Sequence, residues 1–408
     1  MRVMVTGAEE HQGLAVIRGL GLRGIPVVAC GAKRTSLGFA SKFAVERHTY
    51  TSPYADRSRF ADDIVAIARH SKAGLIMPAV ESTLVVLDEY RTAVEAVSRL
   101  AAPSSHTLAL ALDKLATLQL AQQVDVPVPR TAYAETSADL LHQAAQLAFP
   151  VALKPRGHPL YRRTANALGF KVRYASTIDD LRQILGSLRA GAQLPLVQEY
   201  APGVGVCVSA VCHSGAPVAL FPYLRVREFP RTGGVSVVRR SLPLDERLGE
   251  YVSRLLRASQ WHGIAMVEFR HDPRTQRYVL MEINGRFQAS TALSIDAGLN
   301  LPYLVYAVYT DQPLTPPFSY EVGVEERWLY GDLLSLGQYL AGETQKSGLP
   351  QGNGPWPSRA AGLLEFLMSF RPGMNYDEFK WYDCRPGFTA CRQLGSGVLD
   401  LAKRLLRR

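Results

Sequence analysis

The chain has 408 residues, 47% of them hydrophobic and 20% charged, which describes a globular protein with substantial cores and excludes a disordered one. No apolar run approaches the roughly 20 residues of a membrane-spanning helix, and the start, MRVMVTGAEE, lacks a cleavable apolar region, so neither a membrane span nor secretion is expected. A net charge of +10 raises a nucleic-acid reading, but the arginines are scattered and no basic run is interleaved with aromatics; no nucleic-acid partner is expected, and the positive balance suits anionic substrates such as nucleotides.

Along the chain, RVMVTG reads as a strand and turn, GLAVIRGLGLRG as a helix and IPVVACG as a second strand. RFADDIVAIARHSK is another helix, followed by the strand AGLIMPA. This alternation predicts a doubly wound parallel α/β domain over residues 1–104. The glycine turn at Gly7 is not a dinucleotide fingerprint, because Ala8, Glu9 and Glu10 follow where further glycines would admit a pyrophosphate. One capped helix is expected within APSSHTLALALDKLATLQLAQQVDVPVPR. Then come the strands PVALKPRG and LGFKVRYA, the helix TIDDLRQILGSLRAG and the strand PLVQEYAPG. VGVCVSAVCHSGAPVALF reads as a hairpin turning at Ser214-Gly215, and residues 263–287 as a second hairpin. Beyond about 318 the pattern loosens around SGLPQGNGPWPSR; the tail LDLAKRLLRR reads as a short amphipathic helix, more readily a solvated end than a membrane or polyanion contact. The five cysteines are odd in number and lack CxxC spacing, which fits a reducing cytoplasm and argues against a zinc site or a disulfide scaffold.

The second hairpin carries the chemistry. In VLMEINGRF, period-2 alternation puts Glu282, Asn284 and Arg286 on one face and Met281 and Ile283 on the other, in apolar packing. With the turn centred on Thr275, Glu268 faces Glu282 across the ladder. Opposed like charges are destabilising unless a cation lies between them, and two glutamates with an asparagine offer the hard oxygen donors that Mg²⁺ prefers. The bland alternatives are glutamates fraying into water or a register slipped by one. Lys154 ends an apolar strand, where it can contact phosphate oxygens; Lys114 alone would be a surface charge.

In this order, LDK, LKP, VQEYAPG, VEF and MEINGRF resemble the ATP-grasp superfamily, carboxylate–amine ligase branch, from about residue 105 to 315. The resemblance implies an ATP-grasp domain over 105–318 of mostly antiparallel sheets, with a lid at about 126–196, and a C-terminal extension over 319–408. It implies that Lys114 and Lys154 contact ATP phosphates, that Gln198, Glu199, Tyr200 and Ala201 border the adenine, and that Glu268, Glu282 and Asn284 bind Mg²⁺, with Mn²⁺ as a substitute. Arg286 would face the reacting phosphoryl or acyl group. LRVREFPRTGGVSVVRR looks like the segment laid over the acceptor substrate, where Arg225 and Arg227 would clamp a carboxylate and Gly233, Gly234 and Ser236 would offer backbone amides. Glu81 is a candidate for the amine, with a helix-start role as the alternative.

The expected activity is ATP-dependent amide or peptide bond formation between small-molecule carboxylate and amine substrates through an acyl phosphate, releasing ADP and phosphate. Two departures stand out: the loop RGHPLYRRTANALG carries Arg156, Arg162 and Arg163 in place of small residues, and Val204 lies where relatives tend to place an acid for the ribose. They motivate a nucleotide-binding regulator as an alternative; a bicarbonate-using carboxylase or carbamoyl-phosphate type enzyme is another. Dimers are frequent among similar enzymes, so a homodimer is an expectation.

Overall fold

The computed structural model describes residues 1–157, 168, 170, 172–189, 191–231, 233–342 and 358–393. Arg162, Arg163, most of the loosened stretch before 358 and the amphipathic tail lie outside the described residues.

The amino-terminal unit runs β1 (Arg2–Thr6), α1 (His11–Gly21), β2 (Val27–Gly31), β3 (Ala44–Thr49), α2 (Arg57–Ser71), β4 (Ala73–Pro78), α3 (Glu81–Glu89), α4 (Arg91–Glu95) and β5 (Arg99–Leu100). Its strands form one parallel sheet in the order β3-β2-β1-β4-β5. β1 and β2 are almost wholly buried apolar runs, as strands covered by helices on both faces must be.

The predicted single helix after this sheet is two: α5 (Ser105–Leu112) and α6 (Lys114–Gln123). Asp113 between them is extended, at φ −107° and ψ 105°, and its carboxylate accepts the backbone N–H of Leu115 at 3.0 Å. An aspartate that caps its own successor helix breaks a pattern whose apolar spacing runs straight through. Lys114 therefore stands in the first turn of a new helix.

A four-stranded antiparallel sheet follows: β6 (Thr131–Ala132), β7 (Val151–Lys154), β8 (Arg173–Ala175) and β9 (Leu196–Glu199), in the order β6-β9-β7-β8. It packs on α7 (Ser137–Ala144) and α8 (Ile178–Gly186), whose inward leucines share its core.

The third sheet contains β10 (Val204–His213), β11 (Ala216–Phe229), β12 (Val235–Ser241), β13 (Gly263–Asp272), β14 (Arg277–Asn284), β15 (Glu325–Arg327) and β16 (Met374–Tyr376), ordered β14-β13-β10-β11-β12-β15-β16. The β10–β11 hairpin turns at Ser214-Gly215, as expected; both residues have positive φ, 48° and 85°, which suits the twist of a two-residue hairpin. One face of the sheet packs on α9 (Glu246–Ala258) through Val206, Val208, Val267 and Phe269. The opposite face, with Cys207, Tyr223 and Met266, shares a core with β1, α1, α10 (Thr291–Asp296) and α11 (Leu301–Tyr309). The amino-terminal unit and the large sheet thus close over one face.

The C-terminal part adds α12 (Leu329–Leu340) and α13 (Arg359–Met368) and supplies the edge strand β16. Buried charge ties it to the rest. Arg18 of α1 bonds the Asp383 carboxylate at 2.9 Å and donates to the carbonyls of Asp377, Glu378 and Asp383 at 2.7, 2.9 and 2.8 Å. Arg239 pairs with Asp377, and Lys380 bonds Glu326 at 2.9 Å. All five cysteines are free, three of them buried. No helix among the described residues is long and apolar enough to cross a membrane.

Candidate functional site

The site lies on the sheet face turned toward the amino-terminal unit. Directly paired residues on neighbouring strands share a face, so the register Glu282–Glu268–Cys207–Tyr223 places both glutamates in one row across β14, β13, β10 and β11. The expected Glu268–Glu282 pairing is present, but the turn is not where it was placed. A bulge after Glu268 shifts the register, and beyond it Phe269 faces Leu280 and Asp272 faces Arg277. The extra residue reverses the alternation: Leu280 and Ile283 both enter the core beneath, and Met281 does not. Its sulfur instead lies 3.6 Å from the Lys154 Nζ, on the same side as Glu282.

An unbroken polar chain crosses this face. Lys114 Nζ stands 2.9 Å from Glu282 Oε2, Asn284 donates to Glu282 Oε1 at 3.0 Å, and Arg286 donates to Asn284 Oδ1 at 3.4 Å. Arg286 Nε lies 3.5 Å from the carboxylate of Glu81, the first residue of α3, so that residue serves as a helix-start acid and faces the site as well. Lys154, at the end of β7, overhangs Glu282 from the small sheet.

The two central carboxylates have different proton affinities. The Lys114 charge holds Glu282 far below the usual carboxylate range, against the effect of burial. Burial raises Glu268, and the charges of Glu282 and Glu228 add to that, although Arg225 opposes them. Burial also lowers Lys154; it acts in the same sense at Lys114, where Glu282, Glu81 and Glu268 together oppose it and raise that lysine.

Arg225 shares the face of Tyr223, two residues away, and reaches across the row to Glu268 at 2.5 Å. It also pairs with Glu228 at 2.9 Å and donates to the Gly234 carbonyl. Its guanidinium is thus committed to the protein's own acids. Arg227 is not part of the cluster: bulges in the β11–β12 ladder turn it inward, where Asp332 holds it at 2.6 Å and Glu365 at 3.1 Å. The expectation that it clamps a substrate carboxylate is corrected accordingly. The Ser236 hydroxyl donates to the Val238 carbonyl within its own strand, at 3.2 Å. Gly233 and Gly234 form the turn before β12; a Cβ on Gly234 would sit 2.1 Å from the Phe229 carbonyl oxygen, which excludes any other residue there.

The presumed adenine border is more occupied than the strand break suggests. Gln198 is buried, with its amide on Thr131 Oγ1 at 3.1 Å. The Glu199 carboxylate turns to Arg130 and the Ala148 N–H, at 3.0 and 2.8 Å. The N–H groups of Glu199 and Tyr200 are taken by the carbonyls of Arg130 and Pro150, both at 3.0 Å, and the Ala201 carbonyl accepts from Arg270 at 3.4 Å. Glu9, beside the glycine turn, is likewise internally engaged and accepts the N–H of Ala32 at 3.2 Å.

Sequence reading passed over Asp113, Met281 and Glu228. Asp113 bonds Arg156 at 3.0 Å and bridges to Gly157, so it fastens α6 to the end of the lysine-bearing strand. A helix-capping aspartate directly before a lysine was the available signal. Among the described residues, no group of three or more His, Cys, Asp or Glu side chains is placed to hold a metal; the Glu268–Glu282–Asn284 set has two carboxylates and an amide.

Residues 193–328, from just before β9 to just after β15, match the family described as "ATP-grasp in the biosynthetic pathway with Ter operon". The fold is similar to the β-γ-ATP complex of biotin carboxylase from Campylobacter jejuni, at TM-score 0.64 and 16% identity over 79% of this chain and 74% of that one. It is similar also to the biotin carboxylase domain of Hydrogenobacter thermophilus 2-oxoglutarate carboxylase with MgADP, ADP and bicarbonate, at TM-score 0.62 and 16% identity over 79% and 73%. N5-carboxyaminoimidazole synthetase from Staphylococcus aureus aligns at TM-score 0.59 and 15% identity over 79% and 80%. No curated protein sequence matches the chain significantly.

Proposed function

We propose that this chain is an ATP-dependent ligase that activates a carboxylate as an acyl phosphate and joins it to an amine, releasing ADP and phosphate. The observation that carries this is the facing pair Glu268–Glu282, ringed by Lys114, Lys154, Arg225 and Arg286 on one sheet face. We propose residues 1–104, 105–318 and 319–408 as its domains.

Two carboxylates forced into adjacency, one of them with raised proton affinity, fit a divalent ion. Glu268, Glu282 and the Asn284 carbonyl oxygen would hold Mg²⁺. When bound, it would neutralise triphosphate charge and make the terminal phosphoryl group a better electrophile. Lys114 and Lys154 add positive charge from two separate elements, α6 and β7, so that the nucleotide would bridge the small and large sheets. Met281 supplies an apolar surface beside Lys154 for the nucleotide.

Arg286 is the guanidinium best suited to the substrate carboxylate and to the oxyanion that develops when the amine attacks. It is 23% exposed and held by contacts of 3.1 to 3.5 Å, whereas Arg225 already serves two glutamates. Glu81, beside Arg286, suits the ammonium form of the amine and could take its proton as the C–N bond forms.

The test is ADP release across a panel of carboxylates and amines, with mass spectrometry of the product. ADP formed only when both partners are present supports ligation; nucleotide binding without turnover under every combination refutes it. The bicarbonate in the Hydrogenobacter thermophilus structure supports a second reading, in which bicarbonate is the activated carboxylate. Bicarbonate-dependent ADP release with no other acid present would favour that reading.

A further inference from the structure

β13 pairs with β10 without a break from Gly263 to His271, so Arg270 lies on the same face as Glu268, about 7 Å further along the strand. That step leads from the glutamate row toward the turn at 200–203 that joins β9 to β10. The side chain ends there: its Nε donates to the Ala201 carbonyl at 3.4 Å, and its Nη2 donates to the Gly203 carbonyl. Opposite it stand Gly205 on β10 and Val279 on β14, neither of which offers a carboxylate.

Among the described residues, Arg270 forms no ion pair. The acids two residues to either side are engaged, Glu268 by Arg225 at 2.5 Å and Asp272 by Arg274 at 3.0 Å. Nη1 of Arg270 makes no hydrogen bond, and the residue is only partly buried, so that edge of the guanidinium is open to the cleft. Lys154 on β7 is in the same condition: its Nζ lies 3.6 Å from the Met281 sulfur and forms no ion pair among the described residues. The two charges sense each other. Burial first, then the charges of Lys114 and Arg270, lower Lys154. The charge of Arg270 also reaches Tyr174 of β8, where it opposes the upward effect of burial. One cation of the large sheet and one of the small sheet therefore share the cleft with no acid of their own, an arrangement that an anion between them relieves.

We propose that Arg270 binds the nucleotide phosphate nearest the base and completes, with Lys154, a clamp on the polyphosphate. The inference rests on the ATP reading above and adds a residue that the reading does not use. Position selects the phosphate: the glutamate row would hold the far end of the triphosphate, and Arg270 stands about 7 Å from it on the side of the β9–β10 turn. The two carbonyls already fix the guanidinium in place, so little side-chain freedom is lost when the phosphate binds.

The test is displacement of a fluorescent ATP analogue from the full chain by ATP, AMP and adenosine in the presence of Mg²⁺. The parent is expected to bind AMP about tenfold or more tighter than adenosine. Arg270→Met should weaken ATP and AMP roughly tenfold and leave adenosine within about twofold, and Arg270→Lys, which keeps the charge, should recover much of the loss. If Arg270→Met does not fold, Arg270→Gln, which keeps a donor for the two carbonyls and removes the charge, is read by the same ratio of AMP to adenosine affinity. A parent that does not distinguish AMP from adenosine overturns the proposal. So does a charge-removing variant that binds all three ligands as the parent does, or one that loses all three alike, as a residue that only braces the turn would. A parent that binds neither the analogue nor ATP removes the ATP reading itself, and the inference with it.

Discussion

Glu282→Gln isolates the charge on which the site depends, because the amide keeps the side chain's shape and can still accept a hydrogen bond. Lys114 Nζ lies 2.9 Å from the carboxylate, and the two side chains are 28% and 30% exposed. In an effective dielectric of 20 the gross attraction at that separation is about 6 kcal/mol. Desolvation of both groups and solvent screening offset most of it, which leaves about 1 to 2 kcal/mol lost on substitution. For a domain of this size that corresponds to a fall of roughly 2 to 8 °C in melting temperature. The functional loss should be much larger. Removing one of two metal carboxylates and the anchor of a phosphate-facing lysine should cost about 4 kcal/mol of transition-state stabilisation, roughly a thousandfold in Mg²⁺-dependent ADP release. Differential scanning fluorimetry and a coupled ADP assay on the same preparation measure both effects. A variant that melts a few degrees lower yet turns over at the parental rate with saturating Mg²⁺ would refute the placement of the metal.

Glu268→Gln should act in the opposite sense on pH dependence. The folded protein raises Glu268 above its ordinary value of 4.5, so the folded state keeps a proton that the unfolded chain loses and stability falls as pH rises through that window. The substitution should flatten that decline in a pH series of melting temperatures, while the Glu282 contribution, full above the ordinary carboxylate range and lost on acidification, persists. Asp113→Ala removes the α6 cap and the contact to Arg156, and should cost about 1 to 2 kcal/mol and weaken nucleotide binding in a fluorescent-ATP titration, because Lys114 loses its fixed origin. Arg18→Met strips the Asp383 carboxylate of its buried cation and should cost about 3 to 5 kcal/mol, with amide exchange rising first over residues 374–384.

The parts of this protein that could be read from sequence are those that local chemistry decides. The parallel alternation of residues 1–104 and the Ser214-Gly215 turn follow from periodicity and left-handed backbone preference, and both are present. The Glu268–Glu282 pairing was legible although the turn beneath it was misplaced, because a one-residue bulge cancels a half-residue error in the turn centre. The same bulge made the fate of Met281 unreadable, since alternation assumes an unbroken ladder. Arg225 and Arg227 show the other limit. Two arginines two residues apart look equivalent in a string, yet ladder irregularities and acids more than 30 residues away send one into the site and the other into the C-terminal helices. The Asp113 break was hidden by a hydrophobic pattern that reads continuously across both helices.

The bonds from Arg18 to Asp377, Glu378 and Asp383 span almost the whole length of the polypeptide. During synthesis, a guanidinium made within the first twenty residues has none of these partners until the last thirty are emerging. An amino-terminal unit that could otherwise mature early is therefore held short of its final docking. The unit that brings Glu81 of α3 to 3.5 Å from Arg286 gains its Arg18 contacts only then, so a chain cut before residue 377 should hold that pair less firmly.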